Sequence, residues 1–451
     1  MARTLPYLGG LFSFQFAVTK APAEDGIRSG PGRRRVGALA FAALACLMTA
    51  AVGACTSFPQ PASQAFPAHA VVKERHGMVV SAAVLTDAEA TEYFGCPLAQ
   101  HGVQAVWLRV QNNNRYPIIA LPRDMDPDYF SPLEVSYLCH HAFDSQANQR
   151  LDDFFLDTRF PAMVAREASG TGFVFTRLQE GAKFVNVAFW HGMGLTRDGF
   201  FLRLPNGGFD FQQADFGKIY PPAQKRALTP ATLHALLTKL PCCTSNRIGT
   251  RTGDPVNFAM VGAEDDVLGA LVQQGWDPTH TIGRQSAART VSSFLFGGRY
   301  RYSPVSTLYY FGRGQDLAMQ RVRETVHQRN HLRLWRSPYT YRGREVWLGQ
   351  ISRDIGVRFT WASPILLTHK IDPEVDEARE YLVQDMIASG WLAAIGYVQG
   401  VGAASRQHPR HNLTGDPYFT DGLRAVMFIS DKPVAADAIS AVNWDHPFPG
   451  D

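Results

Sequence analysis

The residues best suited to chemistry lie on one predicted strand, residues 331–336. Side chains alternate between the two faces of a strand, so His331, Arg333 and Trp335 share one face. An imidazole, a guanidinium and an indole on one face are typical of a site that holds an anionic group. A solvated sheet face on which arginine stacks on tryptophan explains the same pattern. We therefore treat His331 as a candidate catalytic residue, and Arg333 and Trp335 as candidate anion-binding residues.

Three further residues, Asp354, His369 and Asp372, join His331 as catalytic candidates. Imidazole and carboxylate groups in one pocket would form a general acid–base site or a site for a divalent metal ion. The ligand types suit such an ion, but a spacing specific to a metal is missing, so no metal is assigned. Asp372 also suits a helix N-cap, because Pro373 follows it. The sequence leaves the functional and the structural interpretations open.

The motifs of common hydrolases and nucleotide-binding proteins are missing, including His-Glu-x-x-His, Gly-x-Ser-x-Gly and the phosphate-binding P-loop. The chain of 451 residues carries 44 Lys and Arg residues against 40 Asp and Glu residues. Residues 1–54 hold six of these basic residues and two of the acidic ones, so the rest of the chain is balanced at 38 of each. The basic surplus belongs to the N-terminal segment and does not indicate a nucleic-acid-binding protein.

The N-terminal segment has the organisation of a secretory signal. Three arginines at residues 33–35 precede an apolar run over residues 36–53, and small residues lead to Cys55. This order of basic region, apolar region and cleavage site predicts export. A cysteine at the first mature position predicts a bacterial lipoprotein whose thiol carries lipid, such as palmitate, at a membrane surface. An uncleaved membrane anchor is the alternative. Thr56 favours the outer membrane and a chain that faces the periplasm.

Four further cysteines, Cys96, Cys139, Cys242 and Cys243, would meet an oxidising compartment after export. We therefore treat them as disulfide candidates, and three pairings are open from the sequence. Adjacent cysteines bond to each other only with strain, so bonds between distant cysteines are expected. Buried free thiols are the alternative.

The chain divides into five segments. Residues 1–54 are the signal region, 55–70 a linker rich in Pro, Ser and Ala, 71–222 the first domain, 228–432 the second domain and 433–451 a tail. Short strands separated by turns predict a β-sandwich of immunoglobulin-like architecture for the first domain. A mixture of helical and strand patterns predicts an α+β domain with a largely antiparallel sheet for the second.

Individual elements within these domains are also predicted. Residues 172–175 and 183–190 are predicted to form a hairpin across a turn at 179–181. Apolar periodicity and end signals predict helices over residues 85–94, 229–240, 263–274, 286–296 and 373–389.

The second domain contains six motifs in a fixed order. They are LPCCTSN at 240–246, GDPVN at 253–257, SPVSTLYYFGRGQD at 303–316, HLRLWR at 331–336, THKIDP at 368–373 and TGDPYFTDG at 414–422. Over roughly residues 230–430 the chain thus resembles the LssY C-terminal domain family. The resemblance implies a bacterial envelope protein, since such domains are found fused to membrane phosphatases and to DedA-like membrane proteins. No settled activity attaches to the family, so the resemblance implies no catalytic residues.

Together these observations predict a lipid-anchored cell-envelope protein that acts as a binding or assembly module at the membrane surface. The expected partners are the membrane and a membrane phosphatase or another envelope protein, with no nucleic acid. The alternative function is a periplasmic hydrolase of an anionic lipid or glycan, with His331 and His369 as acid–base groups or metal ligands and Arg333 holding the anion. A structural adaptor for a partner protein is a third class. No cofactor follows from the sequence.

Overall fold

The computed structural model of the protein describes residues 66–204, 208–281, 302–323, 328–359 and 367–445. The signal region with Cys55 and the predicted helix 286–296 lie outside these described residues. None of the described helices is both long enough and apolar enough to cross a membrane.

The first part of the described chain is built from short antiparallel strands. The strands are β1 (Val71–Arg75), β2 (Met78–Val84), β3 (Val103–Asn112), β4 (Ile118–Ala120), β5 (Met163–Val164), β6 (Ala168–Arg177), β7 (Ala182–Trp190) and β8 (Leu195–Arg203). The helices are α1 (Asp87–Phe94), α2 (Pro122–Met125), α3 (Pro132–Leu138), α4 (Ser145–Thr158) and α5 (Asp210–Gln213). Hydrogen bonds order the strands as β1-β2-β3-β6 in one sheet and β5-β4-β7-β8 in another.

These two sheets enclose an apolar core. Val80 and Val106 of the first sheet and Val187 and Phe200 of the second are buried in the same cluster. Removing these side chains from water is the main force that holds the sheets together. The predicted sandwich of two sheets is therefore present. An immunoglobulin-like architecture is not confirmed, because helices α1, α3 and α4 interrupt the succession of strands.

The predicted hairpin between residues 172–175 and 183–190 is wrong. Strand β6 pairs with β3 in the first sheet, whereas β7 pairs with β4 and β8 in the second. The turn after β6 therefore carries the chain from one sheet to the other. Gly181 in this turn has a φ of +77°, and a Cβ atom there would lie 2.6 Å from the ring of Phe209. Glycine fits this position because it has no Cβ.

The second part of the described chain holds the other strands and α-helices. The strands are β9 (Arg226–Leu228), β10 (Cys243–Ser245), β11 (Thr252–Pro255), β12 (Phe258–Val261), β13 (Asp277–Pro278), β14 (Tyr309–Tyr310), β15 (Arg313–Gly314), β16 (Leu317–Val322), β17 (Arg329–Tyr341), β18 (Arg344–Phe359), β19 (Leu367–Ile371), β20 (Leu392–Gln399), β21 (Arg410–His411), β22 (Pro417–Tyr418), β23 (Leu423–Ile429) and β24 (Ser440–Val442). The helices are α6 (Pro230–Lys239), α7 (Glu264–Gln273) and α8 (Val375–Ser389).

A sheet of ten strands is the centre of this second part. Its order is β13-β16-β17-β18-β12-β23-β20-β24, with β9 beside β17 and β19 beside β18. The pairs β9–β17, β12–β23 and β20–β24 are parallel. The other pairs are antiparallel, which confirms the predicted mixed domain with a largely antiparallel sheet. Strand β24 lies within residues 433–451, so the segment predicted as a tail contributes to the sheet.

Local sequence signals predict the start of α6 more closely than the start of α8. Helix α6 begins at Pro230, one residue later than predicted, and the side chain of Thr229 at the N-cap accepts a hydrogen bond from the first turn. Helix α8 begins at Val375, two residues later than predicted. The carbonyl of Pro373 instead accepts a hydrogen bond from the N–H of Phe419, which holds the preceding residues in an extended conformation.

On its face away from the sandwich core, the second sheet is covered around Phe184 and Phe201. Phe184 of β7 and Phe201 of β8 belong to the same buried cluster as Leu271 of α7 and Trp391. The rings of Phe184 and Trp391 meet edge to face, with their centroids 5.6 Å apart. The two parts of the chain thus share an apolar core, and the boundary between residues 222 and 228 stays a prediction.

Candidate functional site

The predicted catalytic residues lie where β16, β17 and β18 run side by side. His331 of β17 is directly opposite Gln320 of β16 and Ser352 of β18. Arg329 of β17 is directly opposite Asp354 of β18. Because side chains alternate along a strand, these two rows share one face of the sheet, and the residues between them lie on the other.

Several side chains on this face converge on the carboxylate of Asp354. Its Oδ2 atom accepts a hydrogen bond of 3.1 Å from Nε of Arg329. The Nδ1 atoms of His331 and of His369, which comes from β19, each lie 3.5 Å from the same oxygen. We name Arg329, His331, Ser352, Asp354 and His369 the His–Asp cluster. The structure thus brings together three of the four predicted catalytic residues.

The second ring nitrogen of His331 connects the cluster to a chain of polar side chains. Nε2 of His331 lies 3.0 Å from Oγ of Ser352. Gln350 donates a hydrogen bond of 3.0 Å to that Oγ, and Arg333 donates one of 2.6 Å to Oε1 of Gln350. This chain fixes the orientation of the imidazole, because each side chain holds the next one.

Burial and charge set the protonation of the cluster. Burial lowers the pKa of His331 below its usual range, because a low-dielectric environment disfavours the imidazolium. Burial alone would raise the pKa of Asp354, but His331, His369 and Arg329 together hold that pKa well below its ordinary value. At neutral pH the cluster therefore contains an ionised carboxylate paired with Arg329 and a neutral His331.

Ser352, His331 and Asp354 stand in the order of nucleophile, base and carboxylate that serine hydrolases use. Ser352 and Asp354 are each only 1% exposed, and His331 is 7% exposed. A substrate could not reach Ser352 in this arrangement. The His369 side chain, which is 22% exposed, is the most accessible imidazole of the cluster.

A metal ion does not fit the cluster as it stands. Within the described ranges, no group of three or more His, Cys, Asp and Glu side chains is arranged to hold a metal ion. His331 and His369 both approach the Asp354 carboxylate, but the guanidinium of Arg329 contacts the same oxygen. A fixed positive charge at that distance repels a divalent cation.

The predicted anion-binding residues are buried and bonded to other parts of the protein. Arg333 is 4% exposed, and its Nε donates to the carbonyl of Ser306 at 3.0 Å. Trp335 is fully buried in an apolar cluster, and its Nε1 donates to the carbonyl of Arg313 at 3.3 Å. Arg333 and Trp335 therefore use these donors on protein oxygens, and in this arrangement they support the core.

Asp372 has a structural place outside the His–Asp cluster. Its carboxylate accepts a hydrogen bond of 3.0 Å from the N–H of Glu374, the residue that precedes α8. Its own N–H donates to the carbonyl of Arg353 at 2.8 Å. Asp372 thus shapes the turn that leads into α8. It is not the helix N-cap that its sequence context suggested, because the helix begins at Val375 and Glu374 occupies the N-cap position.

The disulfide candidates form two bonds in the structure. Cys96 is bonded to Cys139, with their Cα atoms 5.8 Å apart, and the bond joins the chain after α1 to the end of α3. Cys242 is bonded to its neighbour Cys243, although distant partners were expected. With Cys96 and Cys139 joined to each other, no distant cysteine is left as a partner within the described residues. Cys55 lies outside those residues.

Sequence reasoning missed Arg329, Gln350 and Ser352. A signal for the last two was present, because Gln350, Ser352 and Asp354 alternate along one strand as His331 and Arg333 do. Polar residues with a period of two on adjacent buried strands indicate a shared polar face.

We expect the free energy of unfolding to decrease as the pH is lowered from about 7.5 to about 5.5. The pKa of His331 is lower in the folded state than its ordinary value of about 6.5, so the unfolded state binds the proton first and is favoured below that pH. Urea unfolding at both pH values should show a smaller loss for His331→Gln than for the wild type. His408→Gln, at an exposed position, is the control. Equal losses in all three proteins would contradict the prediction.

A second candidate site is an exposed apolar row on the sandwich. Met163 of β5 is opposite Ile119 of β4, Ile119 is opposite Trp190 of β7, and Trp190 is opposite Leu195 of β8. We name these four residues the apolar row. Each of them is between 38% and 56% exposed, and Met193 in the adjoining turn is 76% exposed. Four neighbouring strands thus present a contiguous apolar surface to solvent.

Comparison with known proteins gives one result for the second part of the chain. Residues 237–423 match the family model described as LssY C-terminus. The match includes β17, β18 and β19, which carry the His–Asp cluster. A search of curated proteins found no match. Over these residues the match confirms the resemblance to the LssY C-terminal domain family that the six motifs predicted.

Proposed function

We propose that this protein is a lipid-anchored cell-envelope protein that acts as a binding or assembly module at the membrane surface, on the periplasmic side. The observation that carries the proposal is the apolar row, where four exposed apolar side chains from four strands lie side by side. A contiguous exposed apolar surface of this kind is typical of an interaction site. The signal region that ends at Cys55 supports a location at a membrane.

The occupant that we assign to the apolar row is the lipid bilayer. Acyl chains on Cys55 would hold the chain at a membrane surface. The described fold begins at Phe66, and a fully extended chain from Cys55 to Phe66 spans at most about 40 Å. The sandwich would therefore stay close to the bilayer. Tryptophan favours the boundary between headgroups and acyl chains, which suits Trp190 at the centre of the row.

The His–Asp cluster fits a structural role better than a catalytic one. Its side chains bond to one another, and Ser352 and Asp354 are almost completely buried. A buried carboxylate that is paired with an arginine is typical of an ion pair in a protein core. The family resemblance adds a membrane phosphatase or another envelope protein as the protein partner that we propose for the second part of the chain.

Activity assays test whether the protein is a binding module. Purified full-length protein is expected to show no turnover of general phosphatase, esterase and glycosidase substrates, because Ser352 and His331 are shielded from solvent. Each assay would include His331→Ala and the exposed-site control His408→Ala. Robust turnover that is lost in His331→Ala and retained in His408→Ala would contradict the proposal.

A second candidate function is hydrolysis of an anionic lipid or glycan. The order of Ser352, His331 and Asp354 favours it, with 3.0 Å between the serine oxygen and the imidazole. His331 would accept the proton of Ser352, and Asp354 would stabilise the resulting imidazolium. Turnover that is lost in both Ser352→Ala and His331→Ala would favour this hydrolase over the binding module.

A further inference from the structure

A cleft on the other face of the large sheet is lined by arginine side chains. Arg321 of β16, Asn330 of β17 and Arg353 of β18 stand directly opposite one another on three neighbouring strands. They alternate along these strands with His331 and Ser352, so their side chains lie on the opposite face from the His–Asp cluster. We name this place the arginine cleft. It is a separate site from the one described above.

Neighbouring side chains hold two of the guanidinium groups in place. The guanidinium carbons of Arg321 and Arg353 lie 5.4 Å and 5.5 Å from the centre of the Tyr381 ring, within the range of cation–π contacts. Asp385 accepts two hydrogen bonds of 2.7 Å from Arg321. Nε of Arg353 donates to Oδ1 of Asn330 at 3.0 Å. The two guanidiniums are therefore oriented before any ligand arrives, which lowers the entropic cost of binding.

The cleft has the size and charge for a small anion. Its volume is about 520 Å³, and small-molecule sites occupy roughly 300–1,000 Å³. Arg323 and Asp277 also line the cleft. Three arginines against Asp277 and Asp385 leave one formal positive charge. Within the described residues, the Arg353 side chain donates a hydrogen bond through Nε. Both of its terminal nitrogens therefore remain available as donors at the cleft.

We propose that the arginine cleft binds a phosphate monoester. The planar fork of a guanidinium matches two phosphate oxygens at once, and Arg353 and Arg323 supply such forks. The Tyr381 ring provides an apolar wall for the organic group of the ester. The ligand is either a soluble phosphomonoester or the headgroup of a lipid whose phosphate is a monoester. The inference does not rest on the apolar row, which lies on the sandwich.

Titration calorimetry of the full-length protein in detergent tests this proposal. Glycerol 3-phosphate is the soluble probe, and short-chain phosphatidic acid is the lipid probe, with phosphatidylcholine as its neutral reference. The wild type is expected to bind at least one phosphomonoester, and the double variant Arg323→Ala/Arg353→Ala is expected to bind it about tenfold more weakly or worse, because two charged donors are lost. Arg109→Ala, at an exposed position on β3, should bind like the wild type.

Arg353→Lys separates the shape of the donor from its charge. Lysine keeps the positive charge but loses the fork, so this variant should bind with an affinity between those of the wild type and the double variant. Binding of phosphatidic acid without glycerol 3-phosphate would assign the site to a lipid headgroup, and the converse would assign it to a soluble ester. Equal affinity in the wild type and the double variant, or no binding of either probe, would overturn the proposal.

Discussion

Asp354→Ala is expected to lower the free energy of unfolding by about 3–5 kcal/mol. The substitution removes the carboxylate that Arg329 contacts at 3.1 Å, and Arg329 is only 5% exposed. A buried guanidinium without its counterion pays the full cost of desolvation, which is why breaking such a pair is so unfavourable. His331 and His369 would lose the same neighbour. Urea unfolding near neutral pH measures the loss.

Asp265→Ala is the matched control for this experiment. Asp265 also pairs with an arginine, at 3.1 Å from Arg203, but its side chain is 64% exposed. Water and salt screen an exposed pair, so its loss should cost less than about 1 kcal/mol. Equal losses for the two variants would contradict the view that the His–Asp cluster is a buried ion pair.

The alternation of side chains along a strand accounts for the part of the site that could be predicted from the sequence. The shared face of His331, Arg333 and Trp335 is observed on β17, because a period of two fixes the relative direction of side chains. Alternation does not show what covers that face. Trp335 is buried in an apolar cluster, and Arg333 donates a hydrogen bond to the Ser306 carbonyl. The two predicted anion-binding residues therefore lie in the core.

Convergence of separate strands was harder to predict from one sequence. His369 meets Asp354 because β19 pairs with β18, and Asp372 lies beyond this contact at the turn before α8. Local patterns give the elements and their faces, but the partner of each strand depends on long-range packing. The wrong hairpin between β6 and β7 has the same cause: both are strands, and each prefers a partner in a different sheet.

The apolar row was even harder to predict from the sequence, because it depends on the pairing of four strands. Met163, Ile119, Trp190 and Leu195 are spread over more than 70 residues of sequence, and each alone is an ordinary exposed apolar residue. The register of four strands makes them neighbours. A pattern that spans several strands has no signature in any one of them, so the sequence predicted a membrane location without the surface that would contact the membrane.

The double variant Ile119→Ser/Trp190→Ser is expected to weaken binding to phospholipid vesicles by roughly thirtyfold. Full burial of a large apolar side chain is worth about 1.5–3 kcal/mol, and Ile119 and Trp190 are 38% and 48% exposed before binding. Moving their exposed surface into lipid should therefore contribute about 2 kcal/mol in total, and each 1.4 kcal/mol is about a tenfold change. Val72→Ser/Ile248→Ser is the control, because both residues are exposed and lie outside the row.

Vesicle sedimentation of the chain 56–451 is the measurement that tests the central claim most directly. This chain lacks acyl groups, so its binding to vesicles reports the apolar row without the contribution of a lipid anchor. It contains the compact unit formed by residues 59–451. The account predicts that the wild type and the Val72→Ser/Ile248→Ser control sediment with vesicles, whereas Ile119→Ser/Trp190→Ser stays largely in solution. Equal sedimentation of all three proteins, or none for the wild type, would contradict a membrane-binding role for the apolar row.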